Sequence, residues 1–243
     1  PGKDARTIPT EASSTRTLGI EIHRGLLGDA ERTAKLAEEM ARDGGCCCVI
    51  LNTVKQAQAV YSSLPEHTPK LLFHARFTAA DREKITSKVL DLFGKNTSNR
   101  PDRFVLVATQ VVEQSLDVDF DHMISEIAPI DLLLQRSGRM HRHRRREHDP
   151  VLHVLTPEGE KDRKVRSGKK VRGPVFGASE AIYERYPLLT TIGQLVTQNG
   201  DDRIAVELPS QFRPLIKSTY TDRLPDNPSD DLTESKREWD DLQ

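Results

Sequence analysis

The sequence predicts an α/β fold, a mainly parallel sheet flanked by helices and followed by a partly helical C-terminal extension. Short continuous apolar runs alternate with amphipathic stretches at helical spacing, the pattern of strands covered on both faces by crossover helices. Capping and stop residues punctuate the boundaries between them.

Residues 1–17 are polar, carry Pro1, Pro9 and many Ser and Thr, and read as a linker. Asp29 is placed to cap a helix through about Arg42, with Leu36, Ala37, Met40 and Ala41 on one face and Gly44-Gly45 as its stop. A buried strand follows at Cys46 to Leu51, then a helix carrying Val54, Ala57, Val60 and Tyr61. A short strand at Leu71 to His74 precedes a helix from Thr78 to Phe93, closed by Gly94. Strands at Phe104 to Ala108, His122 to Ile127 and Val151 to Leu155 complete the alternation. Residues 158–175 lack apolar periodicity and read as a flexible basic loop. Residues 176–221 show helical stretches near Glu180 to Tyr186 and Ser210 to Tyr220, and 222–243 read as an acidic linker toward a further C-terminal domain.

The chain has 243 residues, 36% hydrophobic and 30% charged, enough to bury a core beneath a highly charged surface. No apolar run approaches the ~20 residues of a membrane helix, so a cytoplasmic chain is expected. Cys46, Cys47 and Cys48 are consecutive within an apolar strand and so point to alternating faces. They are expected as small core residues rather than as a disulfide or metal site. The formal net charge of −1 is unevenly spread. From Arg136 to His148 there are six Arg and three His against one acid, whereas from residue 222 onward eight acids face three bases. The middle of the chain suits a polyanion and the tail does not.

Two blocks carry the chemistry. The first runs Val107-Ala108-Thr109-Gln110-Val111-Val112-Glu113-Gln114-Ser115-Leu116-Asp117, a buried strand opening into a polar loop. The second is Gln135-Arg136-Ser137-Gly138-Arg139-Met140-His141-Arg142-His143, in which Gln135, Gly138, Arg139 and Arg142 fall at the spacing of one helical face. Two guanidinium forks one turn apart can hold a phosphoryl group, as an arginine finger does. Ligands of open parallel sheets lie beyond the carboxyl ends of the strands. Asn52-Thr53, His74-Ala75-Arg76 and Thr109-Gln110 each follow a strand, and so are expected on one rim.

These blocks resemble the second RecA-like lobe of superfamily-two helicases. With Ala128-Pro129-Ile130-Asp131-Leu132-Leu133-Leu134 they look specifically like the CRISPR-associated type I helicase-nuclease family, over residues 18–157 well and 176–220 weakly. The resemblance implies that Arg139 and Arg142 reach the γ-phosphate of ATP and that Gln135 couples ATP to lobe movement. It places Ser115, Asp117 and Gly138 near the nucleotide and its metal, and Asn52, Thr53, His74, Arg76, Thr109 and Gln110 on the nucleic-acid backbone. Asn-Thr after a strand is also ordinary turn chemistry, and Arg82 reads equally as a DNA contact or as the partner of a helix acid. Ala75 departs from the Ser frequent in the family, which leaves Arg76 as the better backbone contact. For Arg144, Arg145 and Arg146, surface charge and DNA contact stand level, and Asp119 and Asp121 read as solvated loop acids. His141 and His143 are not expected to bind metal, because the neighbouring Arg residues repel a cation.

The chain has no Gly-x-x-x-x-Gly-Lys-Ser/Thr loop and no Asp-Glu pair to hold magnesium. It is therefore expected to be a fragment, in which ATP and Mg2+ are bound mainly by a missing first lobe and which alone hydrolyses little ATP. The implied partners are single-stranded DNA, that first lobe, a nuclease domain and an RNA-guided surveillance complex. Two alternatives stay open, an RNA helicase lobe of the same superfamily and a non-catalytic nucleic-acid-binding module.

Overall fold

The computed structural model describes residues 15–42, 44–113, 116–143, 145, 147–196, 201–221 and 223–243. In chain order the elements are β1 (Arg16–Arg24), α1 (Ala30–Arg42), β2 (Gly45–Ile50), α2 (Val54–Ser63), β3 (Lys70–Phe73), α3 (Ala79–Phe93), β4 (Arg103–Ala108), β5 (His122–Glu126), α4 (Ile130–Ser137), β6 (Val151–Thr156), β7 (Glu160–Lys164), β8 (Lys170–Pro174), α5 (Arg185–Leu195), β9 (Arg203–Leu208), α6 (Phe212–Thr219) and α7 (Asp230–Asp240). Among the described residues, seven strands form one sheet in the order β3-β4-β2-β5-β6-β1-β9, and β7 pairs with β8 alone. Within the large sheet only β9 runs antiparallel, against β1. This is a RecA-like α/β sheet. None of the helices among the described residues is long and apolar enough to cross a membrane.

The two faces of the sheet bury separate cores. Cys46, Cys48 and Ile50 pack with Val89, Phe93, Leu133 and Leu188 beneath α3, α4 and α5. Cys47, Val49 and Leu51 pack with Ala34, Ala37, Ala57 and Val60 beneath α1 and α2. The cysteine run is thus split between the faces by the period of a strand, and all three thiols are free and buried. The expected caps form as well. Asp29 accepts from the Arg32 N–H at 2.9 Å, Thr78 accepts from the Asp81 N–H at 3.2 Å, and the Gly94 N–H closes α3 on Leu90 O at 2.9 Å.

Several stretches differ from expectation. β1 begins at Arg16, within the residues read as a linker, and β9 was not anticipated. Both alternate, Leu18, Ile20 and Ile22 facing the core while Gly19, Glu21 and His23 face away. Strands near a sheet edge need only one apolar face, so they lack the continuous run that marks β2 and β4.

The segment expected as a basic loop is a hairpin turning at Gly168, whose φ is +85°. The tail expected as a linker is folded too. Its helix α7 lays Asp231, 1% exposed, against Arg163 and Arg185, which donate from Nε at 2.7 and 3.0 Å. Trp239 meanwhile sits between Tyr186 and Tyr220. The acidic face of α7 thereby answers the basic hairpin, with Lys169 pairing to Asp230 at 3.0 Å. Gly173 lets the strand approach, since a Cβ there would lie 1.8 Å from Asp231 Oδ2.

Removing one partner of a buried ion pair leaves the other charge uncompensated, at a cost of about 3–5 kcal/mol. Asp231→Ala is expected to lower stability to urea by about that amount and to open the α7 segment to protease. An unchanged unfolding midpoint would contradict the packing described.

Candidate nucleotide interface

The site is built where β4 and β5 end. After Ala108, Thr109 donates its N–H to Phe73 O at 3.1 Å, and a single 3-10 turn, Gln110–Val112, brings Glu113 beneath α4. There the Arg136 side chain is wholly buried. Its Nε donates to Glu113 Oε1 at 2.7 Å, one terminal nitrogen donates to Ser125 Oγ at 2.7 Å and Glu126 O at 3.2 Å, and the other donates to Tyr183 Oη at 2.9 Å. A guanidinium out of water is tolerable when its donors are met and its charge is paired. Sequence reasoning assigned neither Arg136 nor Glu113 a role. The available signal was spacing, because Arg136 follows Leu133 by three residues and so lies on the apolar side of α4.

Arg139 and Arg142 are not on a shared helical face. The helix stops at Ser137, and Gly138 caps it by donating its N–H to the Leu134 and Gln135 carbonyls at 3.2 Å. The chain then pairs with the stretch ahead of β5. Phe120 donates to Arg139 O at 2.9 Å, His141 donates to Phe120 O at 3.1 Å, and His141 turns the backbone at a φ of 49°. The pull of this short pairing outweighs the helical spacing. His141 is 9% exposed with both ring nitrogens on backbone carbonyls, those of Asp121 and His148 at 3.1 Å. Asp119 and Asp121, expected in solvent, are buried. Asp119 accepts from the Arg142 N–H at 2.8 Å, and Asp121 accepts from the Cys46 N–H at 2.7 Å and Arg100 at 2.8 Å.

The two arginines nevertheless converge on one loop. Arg139 donates to Leu116 O at 2.6 Å and Glu113 O at 3.0 Å, while its buried Nε has no partner among the described residues. Burial, then the nearby Arg142 charge, lowers its pKa. Arg142 is 43% exposed at its side chain and donates from Nε to Asp117 Oδ1 at 2.7 Å. Asp117 also meets His143 Nε2 at 3.1 Å. The His143 hydrogen bond, then that of Arg142, holds its carboxyl below the ordinary 3.8. Gln135 is exposed, with Nε2 3.5 Å from Glu113 O. Ser115, with Gln114, Arg144 and Arg146, lies outside the described residues.

Along the rim, the residues expected to face nucleic acid divide. Asn52 is buried, its side-chain amide donating to Ile127 O and Ser179 Oγ at 2.9 Å and its N–H to Glu126 Oε2 at 2.6 Å. Burial pushes the Glu126 carboxyl up. Gln110 donates to Asn52 O at 3.0 Å and Tyr183 Oη at 3.3 Å, and Thr53 caps α2 by accepting from the Gln56 N–H at 3.3 Å. Thr109 is 3% exposed. His74 is largely buried and stacks on Phe77 at 4.2 Å; burial lowers its pKa, and its Nδ1 accepts from the Arg76 N–H at 3.3 Å. The Arg76 side chain is exposed, and neither it nor Arg82 forms an ion pair among the described residues. Arg76 is thus open to an anion, whereas Gln110 is committed to Asn52 and Tyr183, and Asn52 to Ile127 and Ser179.

Residues 43–145 match the family model described as the C-terminal part of the CRISPR-associated nuclease/helicase Cas3. The chain is 38% identical over 198 residues to the CRISPR-associated endonuclease/helicase Cas3 of Escherichia coli, covering 77% of this chain and 20% of that protein. It is 41% identical over 181 residues to the protein of the same name from Thermus thermophilus, covering 73% and 18%. It therefore spans about a fifth of the length of these relatives. A structure of T. fusca Cas3 with ATP superposes with a TM-score of 0.78 at 32% identity, over 97% of this chain and 27% of that one. A chain of a CRISPR RNA-guided surveillance complex in a pre-nicking state gives 0.72 at 32% identity, over 96% and 28%.

Glu113→Ala, which strands the Arg136 charge, is expected to cost about 3 kcal/mol or more in urea unfolding, and an effect under about 1 kcal/mol would contradict the hub. The depressed Asp117 carboxyl gives a second outcome. Its contribution is fully present above the ordinary 3.8 and is lost as pH falls through the lower folded value. Carboxyl NMR titration should place Asp117 below 3.8 and move it upward in His143→Ala. A midpoint at or above that value would show that Asp117 is unpaired.

Proposed function

We propose that this chain, which belongs to the Cas3 family of CRISPR-associated nuclease/helicases as the C-terminal RecA-like lobe, supplies the arginine fingers of a split ATP site. The parent is then a translocase on single-stranded DNA that degrades foreign DNA in type I CRISPR interference. The observation that carries this reading is the convergence of Arg139, on the Glu113 and Leu116 carbonyls, and Arg142, on the Asp117 carboxylate, along the connection from β4 to β5.

The residues present suit a phosphoryl group. Arg142 is half out in solvent with one carboxylate to release, and Arg139 keeps a buried Nε without a partner among the described residues. When ATP is bound, its γ-phosphoryl oxygens carry the charge that develops during transfer. Arg142 exchanges Asp117 for that charge, and Arg139, aimed by the Glu113 and Leu116 carbonyls, meets it from the loop side. Gln135 lies over the same loop and senses whether Arg139 is engaged.

Magnesium fits this lobe poorly as a principal ligand set. Asp117 is the exposed carboxylate at the interface, and it is already held by Arg142 and His143, whereas Mg2+ seeks several oxygens in an octahedron. The loop that cradles phosphates and the main metal ligands belong to the first lobe in this reading. Arg76 and the rim around Thr109 and His74 take the DNA backbone without reading bases. A type I surveillance complex is the partner that delivers the DNA.

In a protein carrying both lobes, Arg142→Ala and Arg139→Ala are each expected to lower DNA-stimulated kcat for ATP by about 10³-fold, with single-stranded DNA binding within about threefold of the parent. Turnover unaffected by either change would remove the finger assignment and favour a passive binding module. Stimulation by RNA but not DNA would redirect it to an RNA motor.

A further inference from the structure

We propose that Glu21, His23 and His153, none of which belongs to the nucleotide interface, form a binding site for a divalent transition-metal cation of the Zn2+ class. Glu21 and His153 face each other across the β1–β6 pair, and His23 lies two residues along β1 on the same side. That side is the one α1 and α2 cover over the centre of the sheet, since the neighbouring Leu155 and Ile124 belong to their core. Beyond those helices the face is open, and Glu21 lines a groove with Asp202 and Arg203. A cation therefore has a path in.

The donor atoms are already gathered. His23 Nε2 and His153 Nδ1 are 2.9 Å apart, Glu21 Oε1 is 3.5 Å from the first and 3.9 Å from the second. A point equidistant from the three lies about 2.0 Å from each, within the range of about 2.0–2.2 Å for zinc bound to imidazole and carboxylate. Two imidazoles and one carboxylate suit Zn2+ and its neighbours better than the harder Mg2+ or Ca2+. At that distance the cation lies in the plane of the three donor atoms, which leaves the positions above and below that plane for water.

Protonation is compatible with ligation. Burial, reinforced by His23, His122 and Arg203, pulls His153 down to about 3, and burial also lowers His23. Both rings are then neutral at neutral pH, and one nitrogen donates to the other across the 2.9 Å gap. Ligation requires only that the donating ring move its proton to its outer nitrogen, so no proton is lost. Arg203, opposite Glu21 on β9, opposes the cation, while Glu21 and Asp202 offset it. The bound ion would tie β1 to β6 beside β9, bracing the weakly covered end of the sheet.

The test is titration of the tag-free, chelator-treated chain with Co2+ and then Zn2+. One equivalent of Co2+ should give visible ligand-field bands that Zn2+ removes, and Zn2+ should raise Tm by about 3 °C or more. His23→Gln and His153→Gln should each abolish the bands and the shift with the far-UV circular dichroism unchanged. His67→Gln, on the exposed side of Glu38, should keep both. Should His153→Gln fold poorly, Glu21→Gln carries the same expectation of lost bands. Absence of bands in the parent chain, or bands and a Tm shift that persist in His23→Gln and Glu21→Gln, would overturn the proposal.

Discussion

The buried Arg136 guanidinium is the interaction on which the rest of the site depends. It reaches Glu113 after β4, Ser125 and Glu126 at the end of β5, and Tyr183 ahead of α5. No apolar side chain joins separate segments at defined distances in this way, because dispersion contacts carry no direction. A charged, planar donor with five N–H groups does, and inside the protein each of those bonds is strengthened by the low dielectric. The consequence is that the Glu113 and Leu116 carbonyls are set where Arg139 needs them.

The same constraint explains why much of the rim is turned inward. Asn52, Gln110 and Tyr183 join the Arg136 network through shared bonds. A half-satisfied polar cluster beneath a sheet edge costs more than none. Their positions after β2 and β4 therefore support the platform, and exposed side chains such as Arg76 and Arg142 are left for anions. Asp117 holds Arg142 by an exposed pair that solvent weakens, so in the proposed finger role Arg142 exchanges partners without a large barrier.

Much of this was legible in the sequence, and the gaps have physical causes. Continuous apolar runs identified β2, β4 and β5, and Thr78 and Gly94 bounded α3 within a residue. β1 and β9 carry no continuous apolar run because Glu21, His23 and Glu207 interrupt their apolar residues, as a one-sided strand allows. The helix predicted to carry Arg139 and Arg142 ends early because the Phe120 to Met140 bridge captures the chain. Local spacing reports propensity, and such long-range pairing overrides it. The tail was misread for a related reason. Its acids signalled solvent, yet Asp231 and Glu234 are buried against Arg163, Arg185 and Lys169, partners that lie 40 or more residues away. Charge composition describes a segment and not its complement.

The most direct measurement is a structure of a two-lobed form bound to single-stranded DNA and a non-hydrolysable ATP analogue. The account predicts Arg139 and Arg142 both within hydrogen-bonding distance, about 3 Å, of the γ-phosphoryl oxygens, the Arg142 to Asp117 pair released and the Arg136 to Glu113 pair kept. A closed nucleotide site in which Arg139 stays on the Glu113 and Leu116 carbonyls and Arg142 on Asp117, away from the phosphate, would contradict it.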